Sequence, residues 1–252
     1  FVELMNEKKS TSIKGLIFRE FFLGRKSYAS LLIMAIVVPF MFMLFMLSAK
    51  FGNLRLMEDV DEIIETIYIM SLYMPAFIFS STIYGILDAV SADFNTKWNG
   101  YMFSTPVKAE IFIGIKFGII TCFTIFSVIM SILSAVIFSS VAGKSITSDD
   151  ISIIMCIVAL CDFAFVFYIV LAYALGMNKA TSVFSFAIVA CILGALFSFI
   201  KFADEHSFVD NPFEILILEK ARMIAPFTPV IIIATIIIGY ILCVKFSKRR
   251  ER

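Results

Sequence analysis

The sequence predicts an all-α, polytopic integral membrane protein with six transmembrane helices. Of its 252 residues, 61% are hydrophobic, and the mean hydropathy is +0.98. A soluble domain of this length could not bury so much apolar surface. The apolar residues also form runs long enough for the ~20 residues that a ~30 Å hydrocarbon core requires. A third observation, the unequal distribution of lysine and arginine among the connectors, predicts how these runs are oriented.

A single transmembrane domain is predicted to cover residues 1–252. Basic and apolar residues alternate at roughly helical spacing over residues 8–26, which is typical of an amphipathic helix in the headgroup region. The six predicted spans cover approximately residues 28–49, 66–90, 110–141, 151–175, 181–200 and 226–244. The third run is longer than a bilayer requires, so its first turns are expected at the cytoplasmic interface.

The lysine and arginine residues predict that both chain termini are cytoplasmic. Fifteen of the 21 basic residues lie in the N-terminal arm, the connector between spans two and three together with Lys116, the turn around Lys179, and the C-terminal tail. The remaining six lie in the three opposite connectors. Because short basic loops stay in the cytoplasm, the sequence predicts a multi-pass cell-membrane protein whose connector between spans two and three is cytoplasmic.

That connector carries the only tryptophan of the chain, Trp98. Thr96 can cap a helix over residues 97–104, because its hydroxyl can accept a hydrogen bond from a free first-turn amide. The segment is also longer than a turn between two spans requires. Two interpretations remain open at this point: a short cytoplasmic helix that binds a soluble partner, or an interfacial anchor formed by Trp and Tyr side chains.

Ionisable residues within the spans are candidates for functional sites. Asp162 lies near the midpoint of the fourth span, where a carboxylate costs at least ~2.5–3.5 kcal/mol, so it should face protein or water. It is predicted either to line a translocation path, with Tyr173 on the same span, or to be a protonated or hydrogen-bonded residue tied to a neighbouring helix. Asp88 and Lys116 are predicted interface charges, with Asp88 either solvated or paired with Lys97 or Lys116.

Several classes of chemistry are not supported by the sequence. No G-x-x-x-x-G-K-[ST] phosphate loop occurs, so the chain is predicted to need a separate nucleotide-binding partner. The single histidine, His206, lies in a polar loop, and the five cysteines lie in apolar runs without metal-ligand spacing. The chain is therefore predicted not to be an enzyme and to hold no metal or cofactor of its own.

The order of these features resembles the permease subunits of type-2 ABC exporters. The shared features are a basic N-terminal helix, a polar connector after two spans, a lysine early in the third span (Lys116), and a Gly-x-x-Lys turn at residues 176–179. Thr105-Pro106-Val107 resembles the family's Leu-Pro-Val-Ser element, although Thr105 stands where leucine is usual. The resemblance covers nearly the whole chain.

The resemblance implies that the connector helix docks in a groove of a cytoplasmic ATPase subunit. The residues at the matching positions are Lys97, Trp98, Asn99, Gly100 and Tyr101. It also implies a second copy of the permease, in a homodimer rather than a heterodimer. ATP and Mg would be bound by the ATPase subunit, the permease would contact membrane lipid, and no nucleic acid would take part.

The small size and the spans rich in Phe and Met further resemble small Gram-positive permeases that export amphipathic cytotoxic peptides, including the phenol-soluble modulin exporters. This narrower resemblance implies a bacterial protein that moves amphipathic or hydrophobic peptides out of the cytoplasm. The alternative is a standalone membrane protein, an immunity or channel-like factor without an ATPase partner. A secondary transporter is disfavoured, because the sequence shows no paired interrupted helices.

Overall fold

The computed structural model describes residues 2–51, 60–96, 108–205 and 221–250, which are helical apart from short turns. Within these ranges, six segments are long and apolar enough to cross a membrane. The predicted all-α fold with six transmembrane helices is therefore confirmed. The helix predicted over residues 97–104 lies outside the described residues.

The described residues form seven α-helices. They are α1 (Val2–Phe51), α2 (Val60–Ser80), α3 (Tyr84–Asn95), α4 (Ala109–Ala142), α5 (Ser148–Leu175), α6 (Met177–Glu205) and α7 (Thr228–Arg250). Two 3-10 turns, Ser81–Ile83 and Ala225–Phe227, precede α3 and α7. The six spans are Ile13–Ser48, Ile64–Asn95, Ala109–Ala142, Ser148–Leu175, Met177–Gly194 and Ala221–Arg249. Each overlaps one predicted span, and α2 with α3 forms the second.

The first helix, α1, is continuous over 50 residues. It joins the amphipathic helix predicted over residues 8–26 to the span predicted over residues 28–49, and the structure shows no break between them. The physical reason is that Arg25, Lys26 and Ser27 include neither a proline nor a capping glycine, so the helix can continue. At ~1.5 Å per residue, α1 measures about 75 Å along its axis, and it contains Pro39 within the first span.

Helices α1 and α3 approach each other closely at two glycines. Gly24 on α1 lies against the backbone carbonyl of Gly85 on α3, and the ring of Tyr28 packs over both glycines. A Cβ atom at Gly24 or Gly85 would clash with these neighbours. The two glycines therefore allow the contact that holds α3 against the first helix.

The helices enclose two apolar core clusters. Because the chain crosses six times, both termini lie at one end of the bundle, which we call the terminal end. The terminal cluster lies near that end and includes Tyr28, Phe112 and Ile169. The distal cluster lies near the other end and includes Met46 and Phe138.

Between the two clusters the buried side chains are polar. Thr124 and Ser127 on α4, and Asp162 on α5, lie between the residues that each helix contributes to the two clusters. Ser80, at the end of α2, is also buried. Ser127 Oγ donates a hydrogen bond to the carbonyl of Phe79 at 2.8 Å, which links α4 to α2. We call Ser80, Thr124, Ser127 and Asp162 the polar layer.

At the distal end, polar contacts fix the start of α5. The Thr147 hydroxyl accepts a hydrogen bond from the Asp150 amide at 3.2 Å, and the Asp150 carboxylate accepts one from the Thr147 amide at 2.9 Å. This reciprocal capping satisfies two first-turn donors. Arg222 donates two hydrogen bonds to Asp149, which holds the last span against α5.

Candidate functional site

Four charged side chains form an ion network at the terminal end of the bundle: Arg19 and Glu20 on α1, Asp93 on α3, and Lys116 on α4. Arg19 Nη2 donates to Asp93 Oδ1 at 2.5 Å, and Arg19 Nη1 donates to Glu20 Oε1 at 3.1 Å. Lys116 Nζ donates to Glu20 Oε2. The same Nζ lies 2.9 Å from Asp93 Oδ2, outside hydrogen-bond geometry, so this last contact is electrostatic. Two cations thus face two carboxylates.

Three of these four charges are almost completely buried. The exposed fraction is 1% for Glu20 and for Lys116 and 0% for Asp93. Lys116 Nζ also lies 4.7 Å from the centre of the Phe112 ring, where the ring face attracts a cation. A buried charge is costly unless it is paired and hydrogen-bonded. The members of the network therefore depend on one another.

Helical spacing places these charges on faces that are otherwise apolar. Lys116 lies four residues after Phe112 and four residues before Ile120, and all three are buried. Asp93 lies three residues after Val90, and both are buried. Residues three or four apart share one face of a helix. Each charge therefore points into the bundle with its apolar neighbours.

The ion network lies on both sides of the connector between α3 and α4. Asp93 is in the last turn of α3, which ends where Thr96 Oγ1 donates to the carbonyl of Ala92 at 2.7 Å. Lys116 lies about two turns after the start of α4. The network therefore ties the two helices that flank residues 97–107 to α1.

A second ion pair at the terminal end is exposed. Lys248 Nζ on α7 donates to Glu110 Oε1 in the first turn of α4 at 2.5 Å. Their side chains are 54% and 44% exposed. Solvent screens such a pair, so it contributes little to stability.

The described residues offer no cluster of metal ligands. Within this part of the chain, no three His, Cys, Asp or Glu side chains lie close enough together to hold a metal ion. The two carboxylates of the ion network already face two cations.

The predicted ATPase-coupling residues lie outside the described part of the chain, so their role stays a prediction. They are Lys97, Trp98, Asn99, Gly100 and Tyr101.

The two predicted interface charges, Asp88 and Lys116, have different surroundings. Lys116 belongs to the ion network, whereas Asp88 is partly buried and accepts a hydrogen bond from Ser27 Oγ on α1. The sequence allowed an ion pair between Asp88 and Lys116 as one alternative. The structure does not form this pair, because Lys116 contacts Glu20 and Asp93 instead.

Sequence reasoning missed Arg19, Glu20 and Asp93 as site residues. A signal was available, because Glu20 is an acid within a basic helix and Asp93 lies at the end of an apolar span. Charges in apolar segments are usually paired, so these two acids could have been matched with Lys116 by sign. The sequence gives no distance between helices, and that distance decides the pairing.

Asp162 and Tyr173 are both buried on α5, with exposed fractions of 0% and 4%. Neither carboxyl oxygen of Asp162 meets strict hydrogen-bond geometry with a described residue, but the Thr124 hydroxyl on α4 lies beside the carboxyl group and interacts with it. The Tyr173 ring packs edge-on against Phe94 with centroids 5.7 Å apart. Asp162 and Tyr173 are ~16 Å apart along the helix, so they do not form one site. Their role in a translocation path stays a prediction.

Six apolar spans around buried charges define a polytopic membrane protein. A family model described as "ABC-2 family transporter protein" matches residues 15–248. The chain therefore belongs to this family and is a permease of an ABC transporter. No curated protein and no solved structure matched the chain. The predicted class of permease is confirmed, while the resemblance to peptide-toxin exporters stays a prediction.

Proposed function

We propose that this permease is the membrane subunit of an exporter driven by a separate cytoplasmic ATPase. The observation that supports the proposal is the position of the ion network, which joins α1, α3 and α4 on both sides of residues 97–107. A connector that merely turned the chain between two spans would not require buried charges to tie its flanking helices to a third. A connector that receives force from a partner could pass that force to α1 through such a link.

In the proposed cycle, ATP binding closes two ATPase subunits beneath two copies of the permease. The helix predicted over residues 97–104 moves with its ATPase and displaces the ends of α3 and α4. Asp93 and Lys116 pass this displacement to Glu20 and so to α1. Because α1 contributes Tyr28 to the terminal cluster and Met46 to the distal cluster, the displacement reaches both halves of the bundle. ATP and Mg are bound by the ATPase.

The proposed substrate is an amphipathic or hydrophobic peptide that moves out of the cytoplasm. Its support is the resemblance in size and in Phe and Met content to small peptide-exporting permeases. Purified complex in proteoliposomes would test this directly. Candidate peptides should raise the rate of ATP hydrolysis, whereas lipids and non-peptide drugs at equal concentrations should not.

The proposed orientation can be tested with single cysteines in a variant whose five native cysteines are replaced. The terminal end carries most of the basic residues, so it should be cytoplasmic. A cysteine at Ser145, which is exposed between α4 and α5, should react with an impermeant thiol reagent added outside intact cells. A cysteine at Asn99 should react only after the cytoplasm is opened. The reverse pattern of labelling would contradict the proposed orientation.

The connector helix can be tested through retention of the ATPase. If Trp98 and Tyr101 lie on one face of a docking helix, they bury aromatic surface against the partner. Such aromatic anchors often contribute ~2 kcal/mol or more to an interface. The Trp98→Ala, Tyr101→Ala permease should therefore retain at least about tenfold less ATPase on co-purification, because ~1.4 kcal/mol corresponds to one decade in affinity.

Phe186→Ala is the matched control for this measurement, because Phe186 is 77% exposed on α6. This variant should retain the ATPase as the unmodified permease does. Trp98→Phe separates the two interpretations of the connector, since an interfacial anchor would tolerate it with full ATPase retention. Full retention and full coupled activity in the double alanine variant would contradict a docking role, and absence of any associated ATPase would favour a standalone protein.

A further inference from the structure

We propose that a pocket in the terminal half of the bundle binds an ammonium group of an amphipathic peptide, with Asp88 as its counter-ion. The pocket has a volume of about 290 Å³ and lies between α3, α5 and α6. The residues that matter for the argument are Tyr84, Asp88, Phe165, Tyr168 and Phe184. This inference rests on the proposed export function and adds a site and a chemical requirement for the substrate.

Asp88 supplies the charge of the pocket. It lies within the second span and is partly buried. Ser27 Oγ donates a hydrogen bond to one carboxyl oxygen, and no lysine, arginine or histidine of the described residues pairs with it. Ionisable residues within a span usually pair with one another or face a water-filled cavity. A cationic ligand would supply the missing partner.

Aromatic rings form much of the remaining wall. The rings of Tyr168 and Phe184 lie edge to face with centroids 5.0 Å apart. The Tyr168 hydroxyl is hydrogen-bonded to Thr181 Oγ1 at 3.0 Å, which fixes the ring. Tyr84 and Phe165 also line the pocket. Aromatic faces attract ammonium groups, and a carboxylate beside several rings is the usual environment for such a cation.

Depth and size favour a peptide over an aminophospholipid. Asp88 lies seven residues before the end of α3 at Asn95, which corresponds to ~10 Å along the helix. An amphipathic helix on the membrane carries its lysines on the polar face, and a lysine stem can lie along apolar surface while its ammonium group reaches a polar partner. The amine of a phospholipid stays in the headgroup region. The volume is just below the ~300–1,000 Å³ of ligand pockets, so it suits one side chain rather than a whole amphiphile.

The test measures binding of a fluorescent, lysine-containing amphipathic helical peptide to the permease–ATPase complex in a non-ionic maltoside detergent. The same peptide with every lysine acetylated is the matched ligand, because acetylation removes the charge and keeps the alkyl stem. Asp88→Asn should weaken binding of the lysine peptide at least about fivefold and leave binding of the acetylated peptide unchanged. Such a cycle isolates the interaction between the carboxylate and the ammonium groups.

Two further variants complete the design. Tyr168→Leu removes a ring from the pocket wall. It should weaken binding of the lysine peptide about threefold or more and leave binding of the acetylated peptide unchanged. Glu110→Gln is the matched control, because Glu110 is an exposed carboxylate at the same end of the bundle and outside the pocket. It should bind both peptides as the unmodified complex does.

Three results would overturn the proposal. The first is equal affinity of the unmodified and Asp88→Asn complexes for the lysine peptide, or an equal loss with the acetylated one. The second is that added phosphatidylethanolamine displaces the peptide while the lysine peptide and the acetylated peptide bind equally well. This result would assign the pocket to a lipid amine. The third is a coupling in thermal stability between Asp88→Asn and Lys97→Gln, which would give Asp88 a partner within the chain. Binding that depends on Asp88 in a permease that retains no ATPase would support the pocket and contradict the proposed function.

Discussion

Replacing Lys116 with methionine should lower the free energy of unfolding of the permease by about 3–5 kcal/mol, because removing one partner leaves a buried charge uncompensated. Lys116 contacts two carboxylates, Glu20 and Asp93, and all three side chains are at most 2% exposed. In the variant, Arg19 is the remaining cation for both carboxylates. Thermal or denaturant unfolding in detergent, followed by tryptophan fluorescence or circular dichroism, would measure the loss.

Lys248→Met is the matched control for Lys116→Met. It removes a lysine from an ion pair at the same end of the bundle, but that pair is exposed, so the loss of stability should be much smaller than for Lys116→Met. If Lys116→Met and Lys248→Met lowered the free energy of unfolding by the same amount, burial would not explain the stability of the ion network.

A double variant that again has equal numbers of cations and carboxylates in the ion network should distinguish the effect on folding stability from the effect on transport. Lys116→Met combined with Glu20→Gln leaves one cation, Arg19, and one carboxylate, Asp93, which are 2.5 Å apart. The double variant should regain much of the lost stability, because no excess charge remains buried. It should still transport poorly, because the link between α1 and α4 is lost. Normal transport by the double variant would contradict the proposed path of force through the network.

Replacing Asp162 with asparagine should leave folding and ATPase association intact and lower substrate-stimulated ATP hydrolysis about tenfold or more. Asp162 lies in the polar layer with an exposed fraction of 0%, and its polar neighbour there is the Thr124 hydroxyl on α4. A buried carboxyl group with so few polar partners costs stability, so we expect it to act in the transport cycle. The alternative is a structural contact in which Thr124 ties Asp162 to α4.

Asp162→Leu provides a complementary test, because leucine removes the polar group altogether. If the carboxyl group has a functional role, the leucine variant should be at least as stable as the unmodified permease and should transport poorly. Thr124→Val removes the hydroxyl beside the carboxyl group while preserving shape, so a less stable Thr124→Val variant would support a structural tie between α4 and Asp162. Normal transport by Asp162→Asn, together with a less stable Asp162→Leu, would show that Asp162 is structural.

The spans were predictable because membrane insertion depends on local composition. A run of about 20 apolar residues identifies a span wherever its neighbours lie, and all six predicted spans overlap helices of the structure. The start of the first span was harder to place. Arg25 and Lys26 mark an interface in composition, but helix hydrogen bonding continues through charged residues unless a proline or capping glycine intervenes. The structure accordingly has one helix where the sequence predicted two segments.

The ion network could not be assembled from the sequence for a different reason. Glu20 and Lys116 are 96 positions apart, and their contact depends on the rotation and the relative height of α1 and α4. Those quantities follow from packing of whole helix faces, including the close approach at Gly24 and Gly85. The burial of Asp162 was easier to anticipate, because a carboxylate in the middle of a span is expected to face away from lipid.

The unbroken first helix has a mechanical consequence. A straight stretch of helix turns a small rotation at one end into a larger movement at its other end. Glu20 lies 15 residues before Ala35 on α1, or ~22 Å along the axis. A tilt of ~5° at the ion network would therefore carry Ala35 sideways by ~2 Å, given that axial length. Beyond Ala35 the helix contains Pro39, and an interior proline removes a helical hydrogen bond and kinks the axis. Had the chain hinged at Ser27, the tilt would have been absorbed at the membrane surface. Continuity through Ser27 instead carries the tilt to Pro39, inside the span.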